Sequence, residues 1–324
     1  MKSVLGIGNA LVDVLVKVND ESILEEFDLA KGSMQLVSEK VASRIDKATE
    51  KYTKEQASGG SASNTMRGLA KLGVKSGYIG KTGKDKTGEF FRNELKEYNI
   101  TPHLLTGTTN TGRAITIITP DTERTFATHL GSAIEMTAKD LSKEVFEQYN
   151  IVHLEGYLVQ NRELMEKIAE LAKAVKAEIS IDLASFNIVE DNLDFLKEYI
   201  GNNVDIVFAN EEEAKAYGKG SSEDGFYKLG QQTNIAVIKT GKNGSVIHSN
   251  GELYEVSSIP SEVIDTTGAG DLYASGFLYG YINNYNLKKC GDLGSLLAGM
   301  VIELVGAKID ENRWAEIKTM LKHL

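Results

Sequence analysis

Two stretches at opposite ends of the chain hold residues of kinds that could do chemistry together. The first is DTTGAGDLYASGFLYG, residues 265–280. A glycine-rich turn that feeds a helix exposes unpaired N–H groups at the positive end of the helix dipole, a ready site for an anion such as a phosphate. Asp271 follows Gly270 directly, where its carboxylate would repel that anion. Two explanations fit the loop alone. Either Asp271 caps the helix, or it takes a proton from an alcohol as that oxygen attacks phosphorus held by the amides of Gly268, Ala269 and Gly270. The second stretch is GNALVD, residues 8–13, which opens an alternating pattern. Leu11, Asp13 and Leu15 fall on one face, and Val12, Val14, Val16 and Val18 on the other. An acid on such a face either accepts hydrogen bonds from two neighbouring hydroxyls of a sugar or is a solvated charge on an edge strand.

Composition narrows the classes of function. The 324 residues carry a net charge of −10, which argues against a nucleic-acid or anionic-membrane surface. With Cys290 as the single cysteine, neither an intrachain disulfide nor a multi-cysteine zinc site is possible, and the five histidines lack ligand spacing. Asp13 interrupts the apolar N-terminal run, so a signal peptide is not expected, and no run of about 18 apolar residues suggests a membrane span. A cytoplasmic protein is the expectation. Two glycine motifs mislead. GIGNAL has Leu11 where a dinucleotide fingerprint needs Gly or Ala, and Lys75 stands where a Walker A loop ending in GKT would need Gly.

The elements that must position these residues can be read from periodicity. From about residue 150 short apolar runs alternate with amphipathic ones: IVHLEGY, NRELMEKIAELAKAVK, EISIDL, DNLDFLKEYI, VDIVFA, NEEEAKAYG and IAVIKTG. Apolar strands separated by helices imply a parallel sheet covered on both faces. Residues 2–8 and 76–80 join that class, the latter after a helix that Gly73 ends. Residues 111–129 read as a hairpin around PDTE. With 11–18 and SMQLVS (33–38), they predict a small separate sheet. The fold class is therefore α/β, one domain over 1–324, with a lid formed by inserted segments at about 11–38 and 105–130.

DTTGAGDLYASGF resembles the C-terminal signature of the PfkB, or ribokinase-like, sugar and nucleoside kinases. ASGGSASNTMRGLAKLG (57–73) resembles their N-terminal GGxxxN segment. The resemblance covers nearly the full length and implies a ribokinase-like three-layer α/β/α sandwich with a β-sheet lid. It makes Asp271 the catalytic base and Gly268, Ala269 and Gly270 the anion hole. Asn210 and Glu213 in FANEEEA match an NxxE element that organises Mg²⁺ through water near the phosphates of ATP, although the same spacing is that of a capping box. Thr240, Gly241 and Thr267 match positions near ATP. Ala298 and Ile302 match the wall of its base pocket or are simply core. Arg124 matches a lid arginine that reaches the phosphate, its alternative being an ordinary exposed charge. Asp265 and Thr267 mark where the family can hold a monovalent cation such as K⁺.

GNALVD looks most like the form found in adenosine kinases of a bacterial branch. This likeness implies that Asn9, Asp13, Gly59, Gly60, Ser61 and Asn64 form a ribose pocket. Leu11, Gln35, Phe126, Tyr157 and Phe186 would then line a purine, each also readable as core. The implied reaction is ATP-dependent 5′-phosphorylation of a purine nucleoside, adenosine to AMP. The alternatives are a sugar kinase acting on ribose, fructose or a phosphorylated hexose, and a nucleoside-binding sensor without catalysis. The lid implies a possible homodimer, with no nucleic-acid or membrane partner.

Overall fold

The computed structural model describes residues 2–121 and 123–321. The strands in chain order are β1 (Ser3–Ile7), β2 (Leu11–Lys17), β3 (Met34–Leu36), β4 (Lys54–Gly59), β5 (Lys75–Thr82), β6 (Ile100–Thr106), β7 (Thr111–Ile118) and β8 (Arg124–Gly131). They continue with β9 (Ile151–Glu155), β10 (Glu178–Asp182), β11 (Ile206–Asn210), β12 (Ile235–Lys239), β13 (Ser245–Ser249) and β14 (Glu252–Val256). Nine of them form a large sheet in the order β14-β13-β12-β11-β10-β9-β1-β5-β6. From β12 to β6 every neighbour is parallel, as the unbroken apolar runs predict.

Alternate residues of these strands serve two cores. Val4, Ile151, Ile206 and Phe208 pack with the helices Ser61–Lys71, Ala269–Ile282 and Leu287–Val301. Leu5, Val152, Val207 and Ala209 pack with Arg162–Val175 and Leu193–Asn203 on the other side. The result is an α/β/α sandwich. The edge pair β13–β14 is antiparallel and does not follow from the parallel reading. Its signal is the dipeptide Asn250–Gly251, both at positive φ (51° and 80°), a hairpin turn whose twist matches the flanking strands. No helix among the described residues is long and apolar enough to cross a membrane.

A second sheet has the order β3-β8-β7-β2-β4. Its valine face is shut: Val12, Val14 and Val16 are buried in one cluster with Ala42 and Ile45 of the helix Glu39–Ala48. Strands β7 and β8 pair antiparallel, Ile118 opposite Arg124, as a hairpin over 111–129 requires; Thr122 of PDTE lies outside the described residues. Strand β4 lies outside both segments expected to build this sheet, because KEQASG is polar and carries no alternation to read. All four chain crossings between the two sheets lie at one end of the second sheet. They are residues 8–10, Gly60, residues 107–110 and the exit from Gly131, gathered by the pairings of Leu11 with Gly59 and Gly112 and of Thr111 with Gly131.

Candidate active site

Four adjacent parallel strands, largely buried, end in a polar side chain. β9 ends in Glu155, β10 in Asp182, β11 in Asn210 and β12 in Lys239, with Glu155 in register with Asp182 and Asn210 with Lys239. The carboxyl edge of a parallel sheet is where open α/β folds bind ligands. The helix Ala269–Ile282 starts at this edge. Its N-cap is Gly268 at φ +78°, and a Cβ there would overlap that of Ala307, so both conformation and space select glycine.

Asp271 is the third residue of that helix, and its carboxylate does not cap it: the N-cap has no side-chain hydrogen bond. Ser61 Oγ instead donates to Oδ1 at 2.7 Å and Asn64 Nδ2 to Oδ2 at 2.9 Å, both from the first turn of Ser61–Lys71. The hydroxyls of Thr65 and Ser275 donate to the Asp271 carbonyl at 3.2 and 2.9 Å. Burial raises the Asp271 pKa; the bonds from Asn64 and Ser61 oppose the rise, Asp182 adds to it, and Lys239 opposes it again. A fixed, half-buried carboxylate of raised basicity is a proton acceptor in waiting. Beside it, Oδ1 of the buried Asn64 has no partner, an acceptor that a hydroxyl could satisfy.

Asp13 lies on the open face of the second sheet, its carboxylate over Gly59, where any Cβ would strike Oδ1, Cγ and Oδ2 together. Burial pushes its pKa up to about 7; Arg67 opposes this, and Asp271 and Glu94 reinforce it. Behind the Gly59–Gly60 turn, Glu155 accepts from Asn9 Nδ2 at 2.7 Å and from the Ala62 N–H at 3.4 Å, and burial raises its pKa to about 7. Tyr157 reaches the same acids: burial first, then Glu155, Glu213, Asp271 and Asp182, push its hydroxyl up to about 12.

The structure thus brings Asn9, Asp13, Gly59, Gly60, Ser61, Asn64, Tyr157 and Asp271 together. Leu11 and Phe126 share the face of Asp13, through the pairings Leu15–Thr116–Phe126 and Asp13–Ala114–Thr128. Gln35 does not. It pairs with Ala127, which pairs with Ile115 and thence Val14, so register turns it to the valine face. Met34 and Leu36 stand on the Asp13 face in its place. Phe186 is also elsewhere: it is 41% exposed and lines a separate hollow with Glu190, Leu193 and Lys215.

On the other side of Asp271 a cavity of about 610 Å³ is lined by Asn210, Lys239, Gly241, Gly270, Ala298 and Ile302, among others. Thr240 shapes its rim by donating its N–H to the Gly244 carbonyl at 2.8 Å. Asn210 and Glu213 form a complete capping box, with 2.8 Å bonds from Asn210 N to Glu213 Oε2 and from Glu213 N to Asn210 Oδ1. Glu213 is 2% exposed, and burial raises its pKa, with Asp182 adding and Lys239 opposing. Lys239 Nζ donates to Asp182 Oδ2 at 2.7 Å. Asp182 pairs with this ammonium, and Glu213 and Asp271 act on it electrostatically, an excess of negative charge that suits a divalent cation brought in with an anion. Among the described residues no three His, Cys, Asp or Glu stand close enough to form a direct metal cage, so such a cation would be held largely through water and the ligand's own oxygens.

Asp265 and Thr267 hold each other, Thr267 donating N and Oγ1 to Asp265 Oδ1 at 3.0 and 2.8 Å. The other oxygen accepts from the Gly306 N–H at 2.6 Å and forms an ion pair with Arg124. Arg124, at the start of β8, therefore joins the second sheet to the loop before the helix. A K⁺ ion does not fit beside Asp265 while that guanidinium occupies it.

Glu155, Asp182 and Lys239 are missing from the sequence reading. Their signal was present: each is a charged residue closing a strand of the parallel sheet, in IVHLE, EISID and IAVIK.

Residues 29–314 match the model of the pfkB family carbohydrate kinases. Among solved structures, a probable sugar kinase from Rhizobium etli CFN 42 is 32% identical with a TM-score of 0.88, covering 98% of each chain. The adenosine kinase from Sinorhizobium meliloti is 33% identical with a TM-score of 0.86, over 98% of this chain and 99% of that one. Among curated proteins, the 5-dehydro-2-deoxygluconokinase of Clostridium botulinum (strain Alaska E43 / Type E3) is 28% identical over 284 residues, 82% of this chain and 84% of that one.

Proposed function

Since the chain belongs to the pfkB family of carbohydrate kinases and is a phosphotransferase acting on an alcohol group, we propose that it moves the γ-phosphoryl group of ATP to the 5′-hydroxyl of a purine nucleoside, with adenosine as the acceptor. The observation that carries the reading is the position of Asp271. It is fixed by Ser61 and Asn64 on the acceptor side, while its helix presents Gly270 to the 610 Å³ cavity on the other. In this reaction the acceptor oxygen bonds to phosphorus, the bond from phosphorus to the ADP oxygen breaks, and Asp271 receives the hydroxyl proton. The amides of Gly268, Ala269 and Gly270 stabilise the charge that builds on the transferring group. Asp13 orients the acceptor through ribose hydroxyls, with Leu11, Phe126 and Tyr157 against the base. The second sheet acts as a lid that excludes water. Mg²⁺ fits the excess of acids around Lys239; Asn210 and Glu213 would hold it through water, and it supplies charge neutralisation of the phosphates.

GNALVD and the likeness to the Sinorhizobium meliloti protein support adenosine. A second reading, a sugar kinase, is favoured by one specific observation: Gln35 and Phe186 lie away from Asp13, which leaves less surface for a purine. ADP release with MgATP and adenosine, inosine, guanosine, ribose, fructose and fructose 6-phosphate separates the two. Turnover with adenosine is expected. Turnover with sugars and none with nucleosides would sink the preferred reading.

A further inference from the structure

Lys239 is in an unusual place for a cation. A Cβ on Gly270 would lie 2.9 Å from its Nζ, so the ammonium occupies the space beside Gly270 in the N-terminal turn of Ala269–Ile282. That is the positive end of the helix, where cations are disfavoured and anions are stabilised. The side chain is also half-buried, at 15% exposure. Burial lowers its pKa, but Asp182, Glu213 and Asp271 outweigh burial and raise it above the ordinary lysine value. Of its three N–H donors, one goes to Asp182 at 2.7 Å, its one acceptor among the described residues. The ammonium also lines the cavity beside Asn210 and Gly270. A half-buried cation set beside the N-terminal turn of a helix, with unused donors, makes electrostatic sense once an anion sits between the two.

We propose that Lys239 is a catalytic residue that grips the transferring phosphoryl group against the Gly270 turn, and that Asp182 is the positioning residue that holds the ammonium there. This rests on the phosphoryl-transfer reading above. Asp271 acts on the acceptor side, whereas Lys239 meets the negative charge that develops as the bond to ADP breaks. Its fixed ammonium also gives the turn an affinity for a polyphosphate that does not depend on a divalent ion.

The test is binding of inorganic tripolyphosphate by titration calorimetry in EDTA, together with steady-state turnover. Lys239→Met alone strands the buried Asp182 carboxylate and can fail to fold, so the double variant Lys239→Met/Asp182→Asn and the single variant Lys239→Arg are compared with wild type. In the double variant we expect tripolyphosphate affinity to fall at least about tenfold and kcat by about 10² to 10³, the size of a lost transition-state donor, with acceptor KM within about threefold. Lys239→Arg, which keeps the charge, should retain most of the tripolyphosphate affinity. Asp182→Asn should lower kcat while leaving acceptor KM unchanged. A double variant that binds tripolyphosphate like wild type, or a wild type that does not bind it without metal, overturns the proposal. Absence of turnover by wild type with every acceptor would instead defeat the functional reading, while the tripolyphosphate comparison still decides the role of Lys239.

Discussion

Asp271 and Asp13 are both half-buried acids, yet they carry opposite expectations. Replacing Asp271 with Asn keeps its shape and the approach of Ser61 and Asn64 but removes the proton acceptor. A drop in kcat of about 10² to 10⁴ with acceptor KM little changed is therefore expected from steady-state kinetics. Turnover near wild type would reduce Asp271 to a structural group. In the proposed reaction Asp13 binds hydroxyls remote from the reacting oxygen, so Asp13→Asn should act chiefly on acceptor KM. It should also stabilise the protein. The folded pKa of about 7 lies above the unfolded value of about 3.9, so the folded state holds its proton more tightly and stability is lost as pH rises from about 4 to about 7. Allowing for partial exposure, the variant should gain about 2 kcal/mol over wild type at pH 8 and nothing at pH 4. Urea unfolding at the two pH values measures this, and equal stabilities at pH 8 would refute it.

At the scale of elements, the close approach of β2 to β4 sets the place of Asp13. Because a Cβ on Gly59 would occupy the space of the Asp13 carboxylate, Gly59→Ala should raise acceptor KM about as much as Asp13→Ala does. The double variant should be no worse than either single one, since both remove the same contact; additive effects would show that Gly59 acts elsewhere. Much of this layout was legible. The parallel strands showed as apolar runs, the valine face of β2 as alternation, and the helix starts at Ser61 and Ala269 as glycine turns. What escaped lacked a local signature. β4 is polar, Gln35 was placed on the wrong face because facing depends on pairing register with β8, and Phe186 projects into a hollow that only tertiary packing creates. Asp182 and Lys239 could be read as charged strand ends, but their pairing could not, since 57 positions separate them.

For the whole molecule, the ion pair of Arg124 with Asp265 joins the far part of the second sheet to the loop that precedes the helix Ala269–Ile282. Removing the guanidinium leaves Asp265 with only the Thr267 and Gly306 donors. Arg124→Gln should lower stability by about 2 kcal/mol, the scale of a charge-assisted hydrogen bond, and should speed amide hydrogen exchange in β7 and β8. Exchange at the wild-type rate would mean that the pair does not hold the sheets together.

The crossings gathered at residues 8–10, Gly60, 107–110 and Gly131 make the second sheet a lever with its fulcrum at that end. The seven residues of β2 reach about 23 Å from this pivot, whereas Asp13 stands only about 7 Å along the arm. A rotation of about 10° would swing the tip near Arg124 through about 4 Å and shift Asp13 by only about 1 Å. If the second sheet is the proposed lid, it can open wide enough to admit a molecule while Asp13 stays almost in register with Asp271. Recognition of the acceptor and access to it are mechanically separated along a single strand.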